Sequence, residues 1–213
     1  MATPAEDVRR RAYGQDHALS PVDRFGVWLS GRRINRTVGD FTDKRVGDFG
    51  CGYEASFARS LLGRAAHVTL VDVALAPDLV ADPSLTAIEG ALPGALAGIE
   101  TESLDVIVCN SVLEHLVEPQ VALDEFMRLL APGGTCMVNV PSWRGKWFLE
   151  YSAFRRGTSP PEEMDDHKMY YDPRDLWPML VKAGFRPSDI RCFRHKFGMN
   201  TWAVCRRRRA SAS

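Results

Sequence analysis

The chain has 213 residues, 45% of them hydrophobic and 25% charged, the make-up of an ordinary globular protein with room for one large domain. Lys plus Arg and Asp plus Glu both number 27, so the net charge is zero, which leaves no electrostatic footprint for nucleic acid or an anionic membrane surface. The five cysteines include no C-x-x-C pair, which argues against a disulfide framework or a zinc site and fits a reduced, cytoplasmic compartment. No metal is expected.

Residues 1–20 are polar and carry no apolar run of the signal-peptide kind. No stretch of the chain approaches the ~20 apolar residues of a membrane helix. Val22, Phe25, Val27, Trp28, Leu29 and Ile34 predict a helix over 22–38. Arg45 to Phe49 reads as a strand ending in Gly50, and Glu54 to Leu62 as a helix with Ala55, Ala58, Leu61 and Leu62 on one face, stopped by Gly63. His67 to Val73 is an apolar, β-branched run of the kind buried on both sides of a sheet. Further strands are expected at Leu85 to Glu89 and Leu104 to Asn110. Pro119 to Ala131 is a helix with Pro119 in its first turn and an apolar stripe of Ala122, Phe126, Leu129 and Leu130, ended by Gly133 and Gly134. Thr135 to Val140 is the next strand. Asp172 caps a helix beginning at Pro173 and closed by Gly184, and Ser188 to His195 and Asn200 to Arg206 form a final strand pair. Arg206 to Arg209 reads as a solvated C-terminal run.

Strands alternating with helices imply an α/β fold with a mostly parallel sheet flanked by helices, its last two strands an antiparallel hairpin at the edge. Ligands of such sheets bind at the carboxyl ends of the strands. Attention therefore falls on Asp48-Phe49-Gly50-Cys51-Gly52, where two glycines let the backbone turn tightly beneath a ligand. Asp72, twenty residues beyond Gly52, offers a carboxylate to a ribose. These features alone also satisfy a dinucleotide fingerprint.

The ordered set of motifs resembles the class I S-adenosylmethionine methyltransferases. Asp48-Phe49-Gly50-Cys51-Gly52 is similar to that family's D-x-G-C-G loop, and Asp72 to its ribose-binding acid. Leu113-Glu114-His115-Leu116 matches the continuation of its fourth strand, Leu130-Ala131-Pro132-Gly133-Gly134 its L-x-P-G-G turn, and Ala183-Gly184-Phe185 its A-G-F ending. The resemblance spans residues 45 to 206. It implies a Rossmann-like, seven-stranded sheet and an enzyme that uses S-adenosyl-L-methionine, releases S-adenosyl-L-homocysteine and methylates a small-molecule or saccharide-type acceptor by in-line displacement. Two positions depart from the family pattern: Glu54 replaces its third glycine, and Ala91 stands where an acid often meets adenine. Those departures are the basis of the alternative, a non-catalytic protein that binds the same cofactor. DNA amino-methyltransferases carry an N/D-P-P motif after the fourth strand, where this chain has Asn110-Ser111-Val112-Leu113.

The resemblance assigns cofactor binding to Asp48, Gly50, Cys51, Gly52, Asp72, Val73, Gly90, Ala91, Asn110, Ser111, Val112 and His115. His115 and His167 are the candidate bases, each with an alternative as an ordinary structural or loop residue; a base is needed only where the acceptor must lose a proton. Residues 142–171 are long for a connection and mix aromatic with basic side chains, which suggests a lid over the acceptor. Its substrate-binding candidates are Trp143, Trp147, Tyr151, His167 and Tyr170. Tyr13 is a candidate to fold over the cofactor, while His17 and His195 have no context that singles them out. The expected organisation is a single domain: a helical cap over 1–44, a cofactor half over 45–141, the lid over 142–171, a closing helix and strand pair over 172–206, and a tail over 207–213. The expected partner is a small-molecule acceptor, with no nucleic acid or membrane, in a monomer or homodimer.

Overall fold

The computed structural model describes residues 11–15, 21–147 and 168–209. Its strands are β1 Arg45–Phe49, β2 His67–Asp72, β3 Leu85–Glu89, β4 Leu104–Asn110, β5 Leu130–Pro141, β6 Ile190–His195 and β7 Asn200–Arg206. Its α-helices include α1 Pro21–Val38, α2 Ser56–Arg59, α3 Pro77–Val80, α4 Pro119–Leu129 and α5 Pro173–Lys182. The seven strands form one sheet in the order β3-β2-β1-β4-β5-β7-β6. β1 to β5 pair in parallel, and β7 lies antiparallel between β5 and β6. The fold is thus the Rossmann-like, mostly parallel seven-stranded sheet that the sequence predicts, with β6 at its edge.

Burial follows from the two covered faces. On one, Phe49, Ile107, Cys109 and Val138 pack against Phe126 and Leu129 of α4 and Leu176 and Leu180 of α5. On the other, Val46, Leu70, Val106, Met137 and Trp202 pack against Ile34 of α1, Phe41, Ala58 and Leu61. Central strands covered on both sides need continuous apolar runs, as β2 and β4 show. The chain leaves β1 for β2 on one side and returns to β4 on the other. That reversal opens a crevice at the carboxyl ends of the strands.

Four expected elements change. The helix expected over 54–62 shrinks to Ser56–Arg59, because Ala55 adopts left-handed backbone with φ 41° and the chain beyond Ser60 goes into turns. Its inward face survives: Ala55, Ala58 and Leu61 are buried. α4 stops at Leu129, and Leu130 already pairs with Leu104 of β4. Gly133 and Gly134 therefore form an irregularity within β5 and do not stop the helix. Pro187–Asp189 forms a 3-10 turn, so β6 begins at Ile190.

The fourth change concerns the basic terminal run, part of which is fastened to the fold. Arg207 donates to the carbonyls of Met127 and Leu130 and pairs with Glu102, while Arg208 meets Asp189 at 2.8 Å. Arg207→Ala should cost about 2 kcal/mol, because two carbonyls lose a charged donor. The corresponding fall in melting temperature is roughly 4–8 °C. An unchanged melting curve would mean that the clamp contributes nothing.

Candidate functional site

The crevice at the carboxyl edge is built around the β1–α2 turn. Gly50 and Gly52 adopt φ +74° and +75°, a region that L side chains rarely enter. A Cβ on Gly50 would lie 2.1 Å from Val112 Cγ2. The turn is tied to β2: the Gly50 N–H donates to the Val71 carbonyl at 2.7 Å, and the Gly52 N–H donates to Asp72 Oδ2 at 2.7 Å. The other carboxylate oxygen of Asp72 accepts the Val73 N–H at 2.8 Å. Each oxygen takes one of these backbone donors and has further lone-pair capacity for a ligand hydroxyl.

Asp48 is buried at the end of β1. Burial, and then the charge of Asp72, push its carboxyl up to about 7. The sign for stability follows from a folded value above the unfolded 3.8. The native state then holds a proton that the unfolded chain releases, so this contribution is complete below about 4 and is lost as pH rises to about 7. Asp48→Asn should therefore gain in melting temperature over the native chain as pH rises through that window. A constant difference between the two from acid to neutral pH would refute the burial of an ionisable Asp48. Burial, Asp48 and Asp72 also push the Cys51 thiol up, so it is a packing group and not a thiolate.

The other expected cofactor residues gather at the same edge. The Gly90 N–H donates to the Asp72 carbonyl at 2.8 Å, with Ala91 directly after it. Asn110 ends β4, and its Oδ1 accepts from Asn139 Nδ2 at 2.8 Å. Ser111 has φ 59° and donates its N–H to the Asn139 carbonyl. Val112 covers Gly50, and half-buried His115 closes a 3-10 turn, its N–H donating to the Val112 carbonyl. Tyr13 lies against the glycine turn: its carbonyl accepts the Tyr53 N–H at 2.9 Å and would sit 3.1 Å from a Cβ on Gly52.

The expected substrate residues divide. Tyr151 and His167 lie outside the described residues, as does most of the expected lid. Trp143 and Tyr170 are packed together with ring centroids 5.7 Å apart and Lys146 over both rings. The Trp143 indole also donates to Asp175 at 3.3 Å. Trp147, 76% exposed, projects from the helix that starts at 143.

Three residues with a bearing on this edge lie outside the set expected from the sequence. Glu89 ends β3 in register with Asp72 and accepts the Leu75 N–H at 2.9 Å. It supplies a carboxylate one residue before Gly90, close to the acid that Ala91 lacks. Asn139 and Trp202 are buried and directly opposed across β5 and β7. The one signal in the sequence is Asn139 itself, an amide inside the apolar run Cys136-Met137-Val138-Asn139-Val140.

Comparison with known proteins identifies the family. A family model described as a methyltransferase domain matches residues 23–189. The ubiquinone biosynthesis O-methyltransferase of Psychrobacter arcticus is 30% identical over 165 residues, covering 69% of this chain and 61% of that protein. The protein of that name from Aeromonas salmonicida is 28% identical over 184 residues, covering 82% and 73%. The chain thus spans about 61% of the length of the first of these relatives. Among solved structures, an S-adenosylmethionine-dependent methyltransferase from Archaeoglobus fulgidus matches with a TM-score of 0.63 at 14% identity, over 84% of this chain and 94% of that one. The [4+2]-cyclase SpnF matches with a TM-score of 0.62 at 16% identity, over 94% and 87%. At such identities the likeness is one of fold. Among the described residues, no helix is long and apolar enough to cross a membrane.

Proposed function

The chain belongs to the methyltransferase-domain family, a class of S-adenosylmethionine-dependent enzymes, and from that premise we propose that it methylates an oxygen of a small-molecule acceptor. The observation that carries the reading is the two-glycine turn bonded through the Gly52 N–H to Asp72. Around it stand the carboxyl of Asp48 and the carboxylate of Glu89, both at strand ends on this edge. A cradle that a Cβ would fill, ringed by the carboxylates of Asp72 and Glu89 and the carboxyl of Asp48, suits a cationic nucleoside. Asp72 would hold the ribose hydroxyls, Gly50 to Gly52 and Asp48 the amino-acid end, and Glu89 to Ala91 the base side.

When bound, S-adenosylmethionine supplies a methyl group on a sulfonium, whose departure as a neutral thioether asks little of the protein electrostatically. The chain's own contribution is then mainly positioning. Val112 and the 3-10 turn through His115 form the wall beside the glycine turn. His115 and His167 are the residues we assign to taking the acceptor proton. Tyr13 closes the turn from above, and residues 142–171 would cover the acceptor, with Trp143, Trp147, Tyr151 and Tyr170 contributing aromatic surface. The oxygen preference rests on the activity for which the relatives are named.

The test is to incubate the protein with methyl-labelled S-adenosylmethionine and a panel of phenols and sugars. The expected result is label in a neutral product with one S-adenosylhomocysteine released per transfer. Tight cofactor binding with no transfer to any of them would instead favour a non-catalytic binding protein.

A further inference from the structure

Four enclosed polar atoms of α1 and the sheet face beneath it have no part in the cofactor cradle, three on the buried side chains of Ser30, Asn139 and Trp202 and one on half-buried His195. Asn139 is 1% exposed, Trp202 0% and Ser30 3%. Asn139 Oδ1, Trp202 Nε1, Ser30 Oγ and His195 Nε2 are all enclosed and lack a hydrogen-bond partner among the described residues. Buried polar atoms are nearly always paired, because an orphan carries its full desolvation cost. Three on one sheet face, with a fourth on the helix that covers it, therefore point to a ligand.

Strand register places three of them together. Asn110 pairs with Asn139, Asn139 with Trp202, and Trp202 with Phe193, forming one row across β4, β5, β7 and β6. Paired residues share a face, and Trp202 packs with Val46, Leu70 and Met137 beneath α1. His195 is two residues beyond Phe193 on that face, its ring 5.3 Å from that of Trp202. Ser30 is buried on α1, the helix that covers this face. Gly26, Ser30 and Arg33 share one stripe of α1. A Cβ on Gly26 would lie 3.6 Å from Lys196 Nζ, and the Arg33 guanidinium sits 5.2 Å over the Phe193 ring. Burial, with the charges of Arg33 and Lys196, pushes His195 down to about 4, so its ring is neutral near pH 7.

We propose that Ser30, Asn139, His195 and Trp202 form a recognition subsite that holds an uncharged hydroxyl of the acceptor. The inference rests on the methyl-transfer reading and deepens it. The donor set decides the class. The Trp202 indole N–H can only donate and the Asn139 Oδ1 can only accept, while Ser30 does either. A hydroxyl answers both demands. A carboxylate or phosphate brings no proton for Asn139, and an ammonium brings no lone pair for Trp202. Asn139 Nδ2 bonds Asn110 at 2.8 Å, so the subsite is continuous with the end of β4. Asn110 and Trp202 are two strand spacings apart, about 10 Å. The hydroxyl held here is therefore a second group of the acceptor, separate from the atom methylated beside β4.

The matched probes are 4-hydroxybenzyl alcohol and 4-hydroxybenzoate, one skeleton with an uncharged and a charged end. Each is titrated into the native chain, Trp202→Phe and Ser30→Ala, with and without S-adenosylhomocysteine, and melting temperatures are recorded. The alcohol should bind the native chain in preference to the acid and weaken about tenfold in Trp202→Phe. S-adenosylhomocysteine affinity should stay unchanged in both variants. Ser30→Ala should melt no lower than the native chain, because it removes an orphan. Preference for the acid, no binding of the alcohol, binding indifferent to both variants, or a fall of several degrees in Ser30→Ala would each overturn the subsite. Alcohol binding lost in Trp202→Phe, in a chain that binds no S-adenosylhomocysteine, would support the subsite and sink the methyl-transfer reading alone.

Discussion

Gly50→Ala should both loosen the fold and abolish cofactor binding. The residue adopts φ +74°, and the new methyl would lie 2.1 Å from Val112 Cγ2, 3.1 Å from its Cβ and 3.1 Å from its Cγ1. No rotamer of a β-branched neighbour clears all three contacts, so the turn or the segment after β4 must move. The left-handed backbone and the overpacking together should cost about 3 kcal/mol, or roughly 6–12 °C in melting temperature. The displacement falls on the turn whose N–H groups reach Val71 and Asp72, so binding should fail even at temperatures where the variant stays folded. Gly63 also has positive φ, but a Cβ there would meet no atom within 4 Å. Gly63→Ala should therefore leave binding intact, which separates backbone strain from loss of the cradle. Native-like binding by Gly50→Ala would show that the crevice is not where the cofactor sits.

Asp72→Ala should weaken S-adenosylmethionine about 100-fold or more. Two charge-assisted hydrogen bonds from a ribose are worth a few kcal/mol, and tenfold in affinity corresponds to about 1.4 kcal/mol. The substitution also frees the Gly52 and Val73 N–H groups that the carboxylate now accepts. Asp72→Asn, which keeps one carbonyl acceptor, should fall between the alanine variant and the native chain. A variant ladder with no order, or an alanine variant that binds normally, would take Asp72 out of the site.

How much of this is legible in the sequence depends on what fixes each feature. β1, β3, β4 and β7 stand at their expected limits; in β4, covered on both faces, the apolar run that burial requires is displayed directly by composition. The expected helix after the glycine turn runs too long because its face of Ala55, Ala58 and Leu61 is real, whereas the left-handed Ala55 that interrupts it leaves no mark on residue type. The turn at Pro132-Gly133-Gly134 signals a break but not which element it breaks, and the strand claims it through the pairing of Leu130 with Leu104. Asp48, Asp72 and the two glycines are readable because their spacing is local to consecutive strand ends. Ser30, Asn139, His195 and Trp202 are not, since only the strand order β4-β5-β7-β6 and the packing of α1 assemble them. His195 looks ordinary in the sequence for that reason. Arg207 is similar: nothing in a run of four arginines says which one will reach the carbonyls of Met127 and Leu130.

The most direct test of the central claim is calorimetric titration of the native chain with S-adenosylmethionine, repeated with NADH. The crevice geometry predicts one-site binding of S-adenosylmethionine in the micromolar range, about −7 to −8 kcal/mol, with no heat from NADH. A silent titration with S-adenosylmethionine, or saturable binding of NADH, would contradict it.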